Sequence, residues 1–313
     1  MTRAGDEPCL VVFARAPVAG QVKTRLCTPV AAAEPGAPAA LTAEQAAAVH
    51  AAFVSDVCRT GKRSGIPRRR LYVAGDAAHP QLVGIARDHG FAIRAQAGAD
   101  LGARMAAAIA DELAAGASAV VLVGTDSPTL PPAYLQRAAA WLGDGAEVVL
   151  GPAADGGYYL VGARRPLPQL FAAGISWGTP QVLPATLLRL RELAATGTRV
   201  ALLPFFYDVD TPQDLWLLAC HLRLAAAQAP AAEASEAARP DQAEQGSSGT
   251  RGSAHPVADA STVDAARTGG GPSAADLAAM DALTRLHAPA TCAVLAALGW
   301  LEAAAPAPGS PEE

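Results

Sequence analysis

The chain is short of the residues that staple a fold or hold a transition metal. Its five cysteines, Cys9, Cys27, Cys58, Cys220 and Cys292, are scattered without a C-x-x-C pair, which leaves neither a zinc-ribbon spacing nor a disulfide framework. Six histidines include no H-E-x-x-H pattern, so a histidine-rich metal site is not expected. Positive charge is also scarce: 24 Lys and Arg against 29 Asp and Glu give a formal net charge of -5. Phosphate-backbone affinity needs accumulated basic residues, so general nucleic-acid binding is argued against. The one basic cluster, Lys62 to Arg70, reads as a solvated turn before a strand at Leu71 rather than as a polyanion site. No apolar run approaches the ~18 residues of a membrane span; the 51% hydrophobic content is inflated by alanine. The opening MTRAGDEPC lacks the apolar core of a signal peptide, and a cytoplasmic location is the expectation.

What the sequence does contain is a repeated alternation. Cys9 to Phe13, Arg70 to Ala74, Phe91 to Arg94, Val120 to Val123, Glu147 to Leu150, Tyr158 to Val161 and Val200 to Leu203 are short β-rich runs with helical patterns between most of them. Thr42 with Gln45 forms a capping-box pattern. Helices are expected after Thr179, with Pro180 at the first helical position, and after Thr211, with Pro212 there and Asp214 completing a box. This spacing predicts an α/β fold, a mostly parallel central sheet with helices on both faces. The main α/β domain is placed at residues 1–225. From 226 to 272 the chain is Ala, Pro, Gly, Ser and charge, which cannot repay its ordering entropy and reads as a disordered linker. Residues 273–304 form a short helical tail with Leu277, Met280, Leu283 and Leu286 on one face and Trp300 near its end. Docking on its own domain or on a second copy is the plainer reading of that tail; residues 305–313 read as disordered.

Two places along the chain concentrate acid at strand ends. VVLVGTDSPTL, Val120 to Leu130, ends a buried run in Asp126 and a proline turn; Phe205 to Val209 leads into Asp208 and Asp210 before Thr211 and Pro212. Ligands of open α/β sheets sit at the carboxyl ends of strands, so these acids are candidates to share one divalent cation. After the first strand, FARAPVAGQVKTRL places Arg15, Lys23 and Arg25 on one loop with Pro17 and Gly20 at its turns, an arrangement suited to phosphate oxygens. It is neither a P-loop nor a G-x-G-x-x-G fingerprint. Asp155, ahead of Gly156 and Gly157, is a candidate base toward an acceptor, while the two glycines read as a hairpin turn. Tyr158 and Tyr159 must face opposite ways. Trp177 reads as a packed core residue, with a lid or sugar platform as the alternative.

FARAPVAGQVKTRL, DLGARM, VLVGTDSPTL, VLGPAADGGYYLVG, ISWGTPQVL and DVDTPQDL occur in that order. Together they resemble the DUF2064 family, also called glycosyltransferase A-like or radical-SAM/selenodomain-associated transferase 1, across about Cys9 to Leu224. More distantly the chain is similar to 2-phospho-lactate and molybdenum-cofactor guanylyltransferases. The resemblance implies a GT-A fold, a nucleotide held over the first strand ends by Ala14, Arg15, Gly20, Lys23, Arg25, Arg104 and Asp126, and Mg²⁺ or Mn²⁺ bridging its phosphates. Asp126 matches the family's metal-binding acid, with one carboxylate where a full D-x-D would have two; Asp210 and then Asp208 are the expected partners. Lys23 and Arg25 would stabilise developing phosphate charge.

The favoured expectation is nucleotidyl transfer from an NTP to a small phosphorylated or acidic acceptor. A glycosyltransferase using a nucleotide-diphospho-sugar is the alternative, and a non-catalytic nucleotide-sensing module the second.

Overall fold

The computed structural model of the protein describes residues 7–29, 40–237 and 288–301. Seven strands, β1 (Cys9–Arg15), β2 (Arg68–Ala74), β3 (Ala92–Ala95), β4 (Val120–Val123), β5 (Val148–Pro152), β6 (Tyr158–Ala163) and β7 (Val200–Leu202), form one sheet in the order β3-β2-β1-β4-β6-β5-β7. Only β6 runs antiparallel to its neighbours, β4 and β5; the remaining pairs are parallel. The helices are α1 (Ala43–Arg63), α2 (Pro80–His89), α3 (Leu101–Ala114), α4 (Pro132–Gly143), α5 (Val182–Ala195), α6 (Pro212–Ala237) and α7 (Pro289–Ala297).

Alternation along β1 shows how the sheet is covered. Leu10, Val12 and Ala14 enter one apolar cluster with residues of α1, α2 and α4, while Cys9, Val11 and Phe13 enter another with residues of α3 and α5. Successive side chains of a strand point to opposite faces, so a strand buried on both sides reads as a continuous apolar run. The Lys62–Arg70 cluster is consumed locally. Arg68 and Arg70 reach the buried Glu112 carboxylate at 3.8 and 3.3 Å, and Arg69 donates to the Ile66 and Gly90 carbonyls.

The Thr42 capping box forms as expected, with Gln45 N–H donating to the Thr42 hydroxyl and the Thr42 N–H to the Gln45 side chain. Asp214 likewise accepts from the Thr211 N–H at 2.7 Å at the start of α6. The helix expected after Thr179 begins later, at Val182 with Gln181 as its N-cap. The Thr179 hydroxyl donates to the Ser176 carbonyl and accepts from the Gln181 N–H, so this segment is a turn. Helix α3 opens at Leu101 behind an Asp100 cap, one residue before Gly102.

Helix α6 continues through Ala225 to Ala237. Alanine is the strongest helix former, so a stretch poor in large apolar residues can still be helical. Residues 238–287 and 302–313, including most of the expected linker and the Leu277 to Leu286 face, lie outside the described residues. Between these two stretches, α7 and Trp300 pack on the side of α1 that faces away from the sheet, in a cluster with Phe53, Val49, Leu215 and Leu222. Asp56 of α1 anchors them, accepting from the Ala290 and Thr291 N–H groups at 3.0 and 2.7 Å. These are donors that a helix start leaves unpaired. Burial pushes the Asp56 carboxyl up to about 6, against the opposing pull of these donors. Asp56→Ala is expected to cost about 1–2 kcal/mol and to accelerate amide exchange at residues 288–301 ahead of the sheet, measurable by denaturant unfolding and hydrogen exchange.

Candidate active site

Because β1, β2, β4, β5 and β7 are parallel to one another, their carboxyl ends share one edge of the domain, and the loops leaving them line a cleft of about 660 Å³. Its floor is made where the two acidic segments meet. The Val209 N–H donates to the Asp126 carbonyl at 2.9 Å, the Ser127 hydroxyl to the Tyr207 carbonyl at 2.9 Å, and the Thr129 and Tyr207 hydroxyls share a 2.7 Å bond. The buried hydroxyls of the proline turn thus staple β4's exit to the segment preceding α6, and place Asp126 beside Asp210.

The third contributor is the turn between β5 and β6. Asp155 accepts from the Gly157 N–H at 2.7 Å, and Gly156, at φ +89, adopts a left-handed conformation suited to glycine. This turn brings Asp155 to Asp208 and Asp210, with one carboxylate oxygen from each lying within 4.8 Å of the others. The structure therefore groups Asp155, read from the sequence as a base, with two of the three expected metal ligands, Asp208 and Asp210. Asp126 lies next to this trio and is engaged otherwise.

Its partner is Lys23. That ammonium donates to Asp126 Oδ1, to Asp210 Oδ1 at 2.7 Å and to the Val209 carbonyl at 2.7 Å, with only 5% of the side chain exposed. Burial alone would depress the Lys23 pKa; the Asp126 and Asp210 carboxylates outweigh it and hold the ammonium above its ordinary value. Burial likewise works to raise Asp126, and the Lys23 ammonium reverses that, holding the carboxyl below the usual range. Lys23 reaches inward from a left-handed backbone, φ 47 and ψ 35, a conformation that costs a non-glycine residue about 1 kcal/mol. The sequence pattern points Lys23 at phosphates; in the structure it closes an acid pair.

Asp208 has no such partner among the described residues. Burial, then the charges of Asp155, Asp210 and Asp126, push its carboxyl up to about 7. Between the ordinary aspartate range near 4 and about 7, the native protein therefore holds a proton that the unfolded chain has released. Native stability falls as pH rises through that window. Asp208→Asn, which mimics the protonated form, is expected to match wild type below about pH 4 and to exceed it increasingly from there to pH 8 in metal-free buffer, as read by thermal melts across pH.

The other expected residues distribute around the cleft. Arg15, Arg25 and Arg104 line it together with Ala14; Arg25 lies 3.7 Å from Asp210 and Arg104 donates to the Gly98 carbonyl. Gly20 turns the loop at φ +75 without lining the cleft. Tyr158 and Tyr159 do face opposite ways, Tyr158 packing edge-on against Trp177 and Tyr159 donating to the Pro204 carbonyl. Trp177 is half-buried: it packs over Gly102, where a Cβ would lie 2.3 Å from the indole, and also lines the cleft. His50 of α1 carries no motif in the sequence, yet its Nε2 meets the Arg15 carbonyl at 3.0 Å at the end of β1. Burial holds its pKa below the usual histidine value, which leaves Nε2–H to donate to that carbonyl.

Two comparisons bear on this arrangement. The family model described as an uncharacterized protein conserved in bacteria (DUF2064) matches residues 58–179. A solved structure of a candidate nucleotide-diphospho-sugar transferase from Desulfovibrio desulfuricans G20 is 32% identical, covers 68% of this chain and 86% of its own, and superposes with a TM-score of 0.57. The chain belongs to the DUF2064 family. This DUF2064 protein is also similar, at lower scores, to Rv0371c from Mycobacterium tuberculosis H37Rv, at 17% identity over 68% of this chain and 96% of that one with a TM-score of 0.35. A CMP:2-keto-3-deoxy-manno-octonic acid synthetase complexed with CTP shows 12% identity over 66% and 94% with a TM-score of 0.39. No curated protein matches it. Its fold is an α/β fold of the GT-A kind, and among the described residues no helix is long and apolar enough to cross a membrane.

Proposed function

We propose that this DUF2064 protein is a divalent-cation-dependent transferase that takes a nucleotide donor, with nucleotidyl transfer from an NTP to a small phosphorylated or acidic acceptor as its reaction. The observation that carries this reading is the meeting of Asp155, Asp208 and Asp210 oxygens within 4.8 Å on a cleft lined by Arg15, Arg25 and Arg104. A donor set made only of carboxylate oxygens fits a hard cation such as Mg²⁺ or Mn²⁺. Such an ion, when bound, supplies electrostatic stabilisation to the phosphate oxygens.

The chain's own residues do the remainder. The three arginines offer donors to a triphosphate, and Trp177 with Tyr158 gives the cleft an aromatic wall. In the reaction an acceptor oxygen bonds to the α-phosphorus as the bond to the bridging oxygen breaks, and pyrophosphate leaves. Charge spreads over the phosphate oxygens while this happens, which is where preorganised guanidinium groups act most strongly.

One observation favours glycosyl transfer as a second reading: the 32% identical relative is named as a candidate nucleotide-diphospho-sugar transferase. Incubating the purified protein with Mg²⁺, each NTP or sugar nucleotide, and a panel of phosphorylated and carboxylic acceptors separates the two. Pyrophosphate release from an NTP supports the proposal, and free nucleoside diphosphate from a sugar nucleotide supports the second reading. Nucleotide binding without either product would identify a sensing module instead.

A further inference from the structure

Lys23 makes an unusual set of contacts for a residue on a loop beside an open cleft. All three of its N–H donors point inward, to Asp126, to Asp210 and to the Val209 carbonyl. The Phe53 ring lies 5.4 Å from the ammonium on another side, and the left-handed backbone at this position is found at no other non-glycine among the described residues. Two carboxylates and a carbonyl are also what a hard cation would take. Asp210 belongs both to this set and to the Asp155, Asp208 and Asp210 trio. A divalent ion on the trio would therefore sit a few ångströms from an ammonium bound to the same carboxylate, and two positive charges at that range repel strongly in a partly dehydrated site.

We propose that the Lys23 ammonium is a built-in counter-ion that competes with the divalent cation for Asp210, so that the free protein binds metal weakly until Lys23 is drawn off the acids. Donor phosphates are the natural new partner for the ammonium, with Arg25 exposed beside it to share them. Donor and cation then support each other's binding, a reciprocal coupling between two ligands of one cleft. The inference rests on the reading that Asp155, Asp208 and Asp210 hold a divalent cation.

The test is a titration of the full chain with Mn²⁺ alone, following free Mn²⁺ by electron paramagnetic resonance, in wild type and Lys23→Met. Methionine keeps most of the side chain's length without its charge. The expected result is at least tenfold tighter Mn²⁺ binding in Lys23→Met. Equal or weaker binding in the variant overturns the counter-ion role and leaves the metal reading standing. Failure of both proteins to bind Mn²⁺ at millimolar concentration overturns both. Because Lys23→Met leaves Asp126 and Asp210 facing each other, a measurement on wild type provides a check independent of its folding. The shielded Lys23 ammonium is expected to give a slowly exchanging ¹⁵N-ammonium resonance that saturating Mg²⁺ removes. A resonance unmoved by Mg²⁺ saturation overturns the inference.

Discussion

Asp210→Asn is expected to lower transferase turnover by roughly a hundredfold or more while leaving the circular dichroism spectrum unchanged. Asp210 belongs to both charged groupings on the cleft floor, the carboxylate trio and the Lys23 set. It lies in the carboxylate trio, accepts from Lys23 at 2.7 Å and lies 3.7 Å from Arg25. Asparagine preserves the side chain's shape and removes its charge, so the trio loses one carboxylate charge and the Lys23 ammonium keeps Asp126 as its one carboxylate partner beside the Val209 carbonyl. The backbone is held independently of that carboxylate, since the Asp210 N–H donates to Asp214 and the neighbouring Val209 N–H to the Asp126 carbonyl. The defect is therefore expected in turnover and in Mn²⁺ affinity, with little change in melting temperature. Steady-state pyrophosphate release measured beside a thermal melt checks it, and an Asp210→Asn protein of wild-type activity would remove the trio from the mechanism.

Gly156→Ala carries the largest expected structural effect at the site. A Cβ there would lie 2.5 Å from the Pro180 carbonyl oxygen and 2.7 Å from its Cα, which are backbone atoms that cannot rotate aside. The φ of +89 adds strain for any L side chain. The same peptide is held from the other side, because the Leu183 N–H at the start of α5 donates to the Gly156 carbonyl at 2.7 Å. Relief must come from moving the turn that presents Asp155 or the entry to α5. A loss of about 2–4 kcal/mol in unfolding free energy is expected, together with weaker Mn²⁺ binding as Asp155 shifts away from Asp208. Urea denaturation of Gly156→Ala against wild type measures the first and the Mn²⁺ titration the second. An alanine variant as stable as wild type would mean the turn is far softer than its packing shows.

The sheet was legible in the sequence because its central strands are buried on two sides and bounded by turn residues. All seven expected runs are strands, with ends shifted by at most two residues. Helix starts were legible where one side chain caps one backbone group, at Thr42 and Thr211, and misread at Thr179, whose hydroxyl donates instead to the Ser176 carbonyl. The convergence of Asp126, Asp208 and Asp210 could be read from their position at strand ends. The use of Lys23 could not, because an ion pair spanning 187 residues leaves no periodic trace and a lysine among arginines reads as one more phosphate ligand. Asp155 was visible as an acid in a glycine turn, but its neighbours depend on how a β5–β6 hairpin lies against the Asp208 segment. His50 carried no signal, since a lone histidine in an alanine-rich helix looks the same whether or not a strand end lies beneath it.

Helix α1 is the plate on which both halves of the molecule lean. Its outer surface carries α7 and Trp300, while Phe53, within the same apolar cluster, stands behind the Lys23 ammonium. A shortened chain ending at residue 237 would retain all seven strands and Asp126, Asp155, Asp208 and Asp210, yet it would bare the oily back of α1 behind the lysine. Wetting of that back wall would loosen the lysine's seat, so the last described helix, α7, serves as the rear bolster of the cleft floor.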